Sequence, residues 1–333
     1  MESVRHVLIT PRSLQPREGK HHPEVGRLLQ AGLHPVYPEG QGPFSAEAMA
    51  RLVPGACAAI IGLDAFDGRV VEAGTALRVV ARYGAGYDRV DVAACTARGI
   101  PVTNTPDANT KAVAEYTLAL MLAAARHVPE HHMRALAGRW EPVRGLELSG
   151  RRLGLIGLGR IGQEVARRAG AFGMSLGYYD VLRKPPAIEE SLGVRYMSFE
   201  DLLAWAEIVS LHAPYQAGSP PLLGAREFAM MRPGTLLVNT ARGELIDEEA
   251  LVCALREGHL AGAALDVFSH EPLPASHPFL TAPNLLLSPH AGAHTAEAVR
   301  RMAEAAVDGV LDVLGGRRPR YLVNPEVYEG RAS

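Results

Sequence analysis

The chain has 333 residues, 47% of them hydrophobic and 21% charged, with a formal net charge of −2. That length exceeds one simple core, so two domains are expected, and the composition is that of an ordinary globular protein. Near-balanced, interspersed charge gives no electrostatic basis for binding nucleic acid or an anionic membrane, so neither is expected as a partner. Met1–Thr10 carries no secretory pattern and no apolar run is long enough to span a bilayer, which leaves the cytoplasm as the expected location. Cys57, Cys95 and Cys253 are widely separated and show no metal-type spacing.

The N-terminal third alternates short apolar runs with helical segments. Strands are predicted at Val7–Ile9, Ala58–Ile61, Leu77–Ala81 and Pro101–Thr103, and helices near Glu24–Ala31, Ala46–Leu52 and Val90–Arg98. Alternation of this kind implies a parallel sheet covered on both faces. The turn-rich run 104–110 precedes a helical stretch, Lys111–Ala125, and reads as the crossing into a second domain. That domain repeats the alternation, with strands at Leu153–Ile156, Leu176–Tyr179, Ile208–Leu211, Leu236–Asn239, Ala263–Asp266 and Leu285–Leu287. Six strands match a Rossmann sheet of two mononucleotide halves. A final helix, Thr295–Leu314, is expected to return to the first domain. The boundaries are therefore 1–104 plus 296–333 for a discontinuous first domain and 105–295 for the inserted one.

The first strand of the second domain runs directly into Gly157-Leu158-Gly159-Arg160-Ile161-Gly162, and a helical segment follows. Gly157 permits the tight turn, Gly159 lets backbone approach a pyrophosphate, and Gly162 lets helix and strand pack closely, with the helix N-terminus facing the phosphates. Asp180 follows Gly162 by 18 residues, at the end of the next strand. A carboxylate there accepts from an adenosine ribose hydroxyl and repels a 2′-phosphate, so NAD is expected as the cofactor rather than NADP. Arg183 and Lys184, close behind, are the cations that could instead meet a phosphate.

In open parallel sheets ligands bind at the carboxyl ends of the strands. Arg242, Glu271 and His290 each lie just past one of the last three strands. Together they suit hydride chemistry at a carbonyl. The Arg can polarise the oxygen and hold an adjoining carboxylate, a protonated His can supply the proton, and a carboxylate beside the His favours imidazolium.

These motifs resemble the D-isomer-specific 2-hydroxyacid dehydrogenase family, which includes phosphoglycerate dehydrogenases and glyoxylate/hydroxypyruvate reductases. The resemblance rests on Tyr83–Asp91, Gly157–Gly162, His212-Ala213-Pro214, Asn239–Gly243, Asp266–Pro272 and Ser288–Gly292, and covers nearly the whole chain. It implies a flavodoxin-like substrate domain and an inserted NAD-binding Rossmann domain, both doubly wound α/β, with the active site in the cleft between them. It further implies a small 2-keto or 2-hydroxy acid as substrate and a homodimer joined through the cofactor domains. Arg242, Glu271 and His290 are implied as catalytic. Tyr83, Gly84, Ala85 and Gly86, with Arg242 and His290, are implied to bind substrate, and Leu63 and Asp64 to edge its pocket. His212, Ala213, Pro214, Thr240, Ala241, Asp266, His290 and Gly292 join Gly157, Gly159, Arg160, Ile161, Gly162 and Asp180 in the cofactor site, Asp266 facing the nicotinamide amide. No further domain is expected beyond about residue 330.

Ser269, Gly292-Ala293, Arg89 and the loop Tyr215–Pro221 depart from the usual family pattern without removing a catalytic group. C-terminal-binding corepressors keep the same fold and triad, so an NADH-sensing binding protein is a second reading. A formate or phosphite dehydrogenase is a third, though the resembling formate enzymes place an amide beside the His. His127, His131 and His132 suggest a metal site only superficially, because Pro129 is expected to interrupt a helix between 127 and 131, and no metal is expected. Trp140 is expected at an interface or cleft rim.

Overall fold

The computed structural model describes residues 5–40 and 42–329. Two compact units make up the chain. The first runs to Asn109 and resumes at His294, and the second is Thr110–Ala293.

The first unit holds five parallel strands: β1 (Arg5–Ile9), β2 (Leu33–Val36), β3 (Ala56–Ile61), β4 (Val79–Arg82) and β5 (Val102–Thr103). Their order, β2-β1-β3-β4-β5, is that of a flavodoxin-like sheet. Strand β3 is buried at every position, as a central strand covered on both faces must be. Strand β2 is not predicted from the sequence. Its Leu-His-Pro-Val composition lacks a clear period, and Pro35 is tolerated because β2 is an edge. Helices here start at side-chain caps: Ser45 accepts from the Ala48 amide, Asp67 from those of Arg69 and Val70, and Asp91 from that of Ala94. The long helix Ala296–Leu314, capped by Thr295, belongs to this unit. Its Gly309 lies against Thr103, and Asp308 pairs with Arg27 at 2.6 Å.

The second unit has seven parallel strands rather than the six expected: β6 (Arg152–Ile156), β7 (Ser175–Tyr179), β8 (Val194–Tyr196), β9 (Ile208–Leu211), β10 (Thr235–Asn239), β11 (Leu260–Leu265) and β12 (Leu285–Leu287). Their order is β12-β11-β10-β9-β6-β7-β8. The unpredicted strand, β8, is three residues long with an exposed arginine at its centre, so its apolar signal is too weak to read. Side chains alternate between two cores. Leu153, Leu155, Ile208, Leu236 and Val238 face the helices Thr110–Ala125 and Arg160–Ala171. Ile156, Val209, Leu211 and Leu237 face Phe199–Trp205, Ala225–Met230 and Glu248–Arg256. Chain order reverses at β6, which pairs with both β7 and β9, and the carboxyl end of that strand is where a crevice opens in such sheets.

Pro129 does not break a helix. It sits in the first turn of Val128–Leu136, where its missing amide costs no hydrogen bond, and His127 precedes it at φ 51°. His131 Nε2 accepts the Val143 amide at 2.9 Å. Among the described residues no helix is long and apolar enough to cross a membrane, and no cluster of metal-type side chains occurs.

Candidate active site

The glycine motif occupies the turn between β6 and the helix Arg160–Ala171. Gly157 has φ 95°, and a Cβ on it would come within 2.7 Å of the His212 carbonyl, so the turn passes directly over His212-Ala213. A Cβ on Gly162 would overlap the Gly157 carbonyl oxygen, whereas nothing lies within 4 Å of the position a Cβ would take on Gly159. Tight packing at the first and third glycines and open space at the second form a cradle that fits a pyrophosphate. The helix cap, Gly159, has no side chain to satisfy the first-turn amides, and no acidic residue stands in that turn. Arg160 is exposed on the first turn, and Ile161 packs against the core beneath it.

Asp180 directly follows strand β7 and accepts the Leu158 amide at 2.9 Å and the Leu182 amide at 3.2 Å. Burial opposes its ionisation, but these amides and Lys184, 3.0 Å away, outweigh it and hold the carboxyl below its usual range. Arg183 is engaged by Glu189 through two bonds of 2.9 Å. Both cations that might have met a phosphate are therefore paired with carboxylates. His212, just past β9, has Nε2 2.9 Å from Ser210 Oγ, and burial of the ring pushes it down to about 3. It is thus neutral at physiological pH. Ala213 is half-buried beside it and Pro214 is exposed.

Arg242, Glu271 and His290 follow the carboxyl ends of the adjacent strands β10, β11 and β12. His290 Nδ1 lies 2.8 and 3.1 Å from the two oxygens of Glu271, whose Oε1 also accepts the Phe268 amide at 3.0 Å. This engagement fixes the ring and leaves Nε2 as the outward nitrogen. The two side chains are 27% and 13% exposed. His290 has φ 52°, a left-handed conformation rare for a residue with a Cβ. It is held there by Asp266, whose carbonyl accepts the His290 amide at 2.9 Å and whose carboxylate accepts the Ala291 and Gly292 amides at 2.8 Å each. Burial pushes the Asp266 carboxyl up, against the Ser288, Ala291 and Gly292 donors and the charge of His290. Tyr116 supports the same loop through Ser288 Oγ at 2.6 Å.

On the Arg242 side the organising residue is Asn239, to which motif reading assigns no task. Its fully buried amide accepts from the Ala241 N–H at 2.9 Å and donates to the Arg242 carbonyl at 2.8 Å. An Asn at a strand end is a turn signal, and that is its only trace in the sequence. Thr240 Oγ1 is 2.8 Å from Thr117 Oγ1, Ala241 is half-buried, and Gly243 presses against Phe268.

In the first unit, the loop after β4 is braced from within. Gly84, at φ 138°, donates its amide to Thr105 Oγ1 at 3.0 Å, and Asn104 Nδ2 donates to the Ala85 carbonyl at 2.7 Å. Gly86 follows, half-buried. Tyr83 is 8% exposed, with its hydroxyl 3.0 Å from Ser13 Oγ, and burial pushes it up to about 12. Asp64, expected at the rim of a pocket, is 2% exposed instead. It accepts from Thr10 Oγ1 and from the amides of Phe44 and Gly62, and so ties loops together.

The cradle makes a separable prediction. Gly159→Ala should leave the thermal midpoint of the ligand-free protein unchanged while weakening NADH binding at least about tenfold, because the added methyl meets only ligand. Gly162→Ala should lower the midpoint itself, because overpacking costs about 1–3 kcal/mol. Thermal melts with and without NADH check both. Undiminished NADH affinity in Gly159→Ala would contradict the placement of the phosphates.

Residues 118–292 match the model of the NAD-binding domain of D-isomer specific 2-hydroxyacid dehydrogenases. A glyoxylate reductase from Korarchaeum cryptofilum is 42% identical over 283 residues, covering 83% of this chain and 85% of its own length. A D-3-phosphoglycerate dehydrogenase from Methanocaldococcus jannaschii is 43% identical over 258 residues, 77% of this chain but 49% of the longer enzyme. The crystal structure of a Thermus thermophilus protein, 42% identical, superposes with a TM-score of 0.85 and covers 96% of this chain and 99% of its own. The chain belongs to the D-isomer-specific 2-hydroxyacid dehydrogenase family.

Proposed function

We propose that the protein interconverts a small D-2-hydroxy acid and its 2-keto acid with NAD(H), acting on substrates of the glyoxylate and hydroxypyruvate class. The observation that carries this reading is the His290–Glu271 pair, 2.8 Å apart, on the same sheet edge as Arg242 and the glycine cradle. A nicotinamide, when bound, would give hydride to substrate C2 in reduction and accept it from C2 in oxidation. Arg242 binds the carboxylate and polarises the carbonyl with its planar fork. His290 gives a proton from Nε2 to the carbonyl oxygen in reduction and removes it in oxidation. Glu271 fixes the ring through Nδ1 and stabilises the imidazolium. In the first unit, with the Gly84 amide committed to Thr105, the amides of Ala85 and Gly86 are the donors for a substrate carboxylate.

NAD is favoured over NADP by the ionised Asp180 and by the carboxylate partners of Arg183 and Lys184. This reading assigns residues 1–104 and 296–333 to the substrate and 105–295 to the cofactor, in a cytoplasmic enzyme.

A homodimer through the second unit completes the reading. Val128, Met133, Leu136 and Trp140 are 55, 62, 71 and 82% exposed, and helix Val128–Leu136 buries none of its residues. One exposed apolar side chain is ordinary, but four on one helix and the segment after it form a face that a second copy would cover.

NADH oxidation with glyoxylate, hydroxypyruvate, pyruvate, 3-phosphohydroxypyruvate and 2-oxoglutarate tests the activity. Turnover is expected with at least one of the first two, lowered about 10²–10⁴-fold by His290→Ala and at least about 10²-fold by Arg242→Ala. Reduction takes up one proton overall and oxidation releases one, so the equilibrium between keto acid and hydroxy acid should move toward keto acid and NADH as pH rises. Tight NADH binding without turnover of any keto acid would favour the sensor reading instead. For assembly, light scattering should report a dimer that Leu136→Glu with Trp140→Ser converts to monomer. A wild-type monomer at micromolar concentration would overturn the dimer.

A further inference from the structure

Between the end of β11 and Pro278 the chain forms no helix or strand, yet it carries Glu271. A single side chain outside the triad fastens this strap near both ends. Glu248, in the first turn of the helix Glu248–Arg256, accepts the Ser269 amide on Oε1 at 2.9 Å and the His277 ring on Oε2 at 3.1 Å. Glu248 and His277 are 17% and 15% exposed. His277 Nδ1 accepts the Phe279 amide at 3.3 Å, so the ring proton sits on Nε2 and points at Glu248. We propose that Glu248, with His277 as its second anchor, is a positioning residue that holds the Glu271 strap in register with His290. The proposal rests on the catalytic reading of His290 and Glu271.

The chemistry of position 248 is narrow. Two N–H donors arrive, one at each oxygen, so the group between them must accept at both ends. A carboxylate does so. An amide of the same shape turns one acceptor into an NH2 that meets an N–H head-on. Glu248 also lies six residues past Arg242 in the chain, and the intervening Gly243 sits so close to the strap that a Cβ there would overlap the Phe268 carbonyl carbon. The Arg242 segment and the strap therefore press on each other, and Glu248 is the polar fastening between them. Phe268, one residue before the Glu248-bound Ser269, donates its own amide to Glu271 Oε1. A slip at Ser269 is transmitted to the carboxylate that orients His290.

The test is kinetic and comparative, on the full chain. Glu248→Gln and His277→Leu should each lower kcat for keto-acid reduction about tenfold or more, since sub-ångström misplacement of a reacting group is costly. NADH affinity, set elsewhere in the unit, should stay within about twofold. His277→Gln, which keeps a donor aimed at Glu248, should recover most of the loss. The hydrogen-bonded Nδ1–H signal of His290 in the proton NMR spectrum should weaken or move in Glu248→Gln and persist in His277→Gln. If Glu248→Gln does not fold, the His277→Leu and His277→Gln pair decides the question alone. Glu271→Gln and His290→Ala run alongside. If they abolish turnover while Glu248→Gln and His277→Leu keep wild-type kcat, the positioning role is wrong. A loss of thermal stability with kcat unchanged would likewise reduce Glu248 to a structural fastening. If the triad variants themselves retain activity, the catalytic reading fails instead.

Discussion

One buried carboxyl group holds the His290 turn in place. Asp266 is 2% exposed and would be costly to ionise there without donors, yet Ser288, Ala291 and Gly292 all point at it. Hydrogen bonds contribute about 0.5–1.5 kcal/mol each net, so several together offset a strain of about 1–3 kcal/mol for a non-glycine residue in the left-handed region. That residue is His290. The loop is thus folded around Asp266, and the imidazole it carries faces Glu271. The family resemblance has Asp266 facing a nicotinamide amide. Its oxygens already hold two loop amides, so any such contact would use its remaining lone pairs.

The same logic recurs along the sheet edge. Asn239 folds the Arg242 turn, Asp266 folds the His290 turn, and Glu248 fastens the strap of Glu271. Arg242, Glu271 and His290 each come from irregular backbone after a strand, and each of those segments is tied down by a polar side chain hydrogen-bonded within the fold. Parallel strands buried on both faces supply the rigid base, and the polar ties convert strand ends into fixed directions.

Much of this is legible in the sequence alone. The glycine spacing, the placement of Asp180 and the three strand-end residues depend on local order along the chain, and local order is what a sequence displays. Strands β2 and β8 are not legible, because one carries a proline on an edge and the other is three residues long around an arginine. The extra β8 turns the expected six-stranded sheet into seven. Pro129 misleads because proline breaks a helix interior but suits a first turn, and only the helix start distinguishes the two. Asp64 is expected at a pocket edge, whereas the structure buries it on Thr10, Phe44 and Gly62, and its bond to Thr10 spans 54 residues. The roles of Asn239 and Glu248 are hidden for the same reason. A side chain that positions another is recognised by what it touches, and touching is a property of the fold.

The most direct measurement of the central claim is the fate of deuterium from NADH labelled at the transferring C4 position, during reduction of hydroxypyruvate in ordinary water. Direct transfer to C2, with His290 supplying only the hydroxyl proton, should give D-glycerate carrying one deuterium at C2. Unlabelled product, label lost to solvent, or L-glycerate would contradict the proposed chemistry.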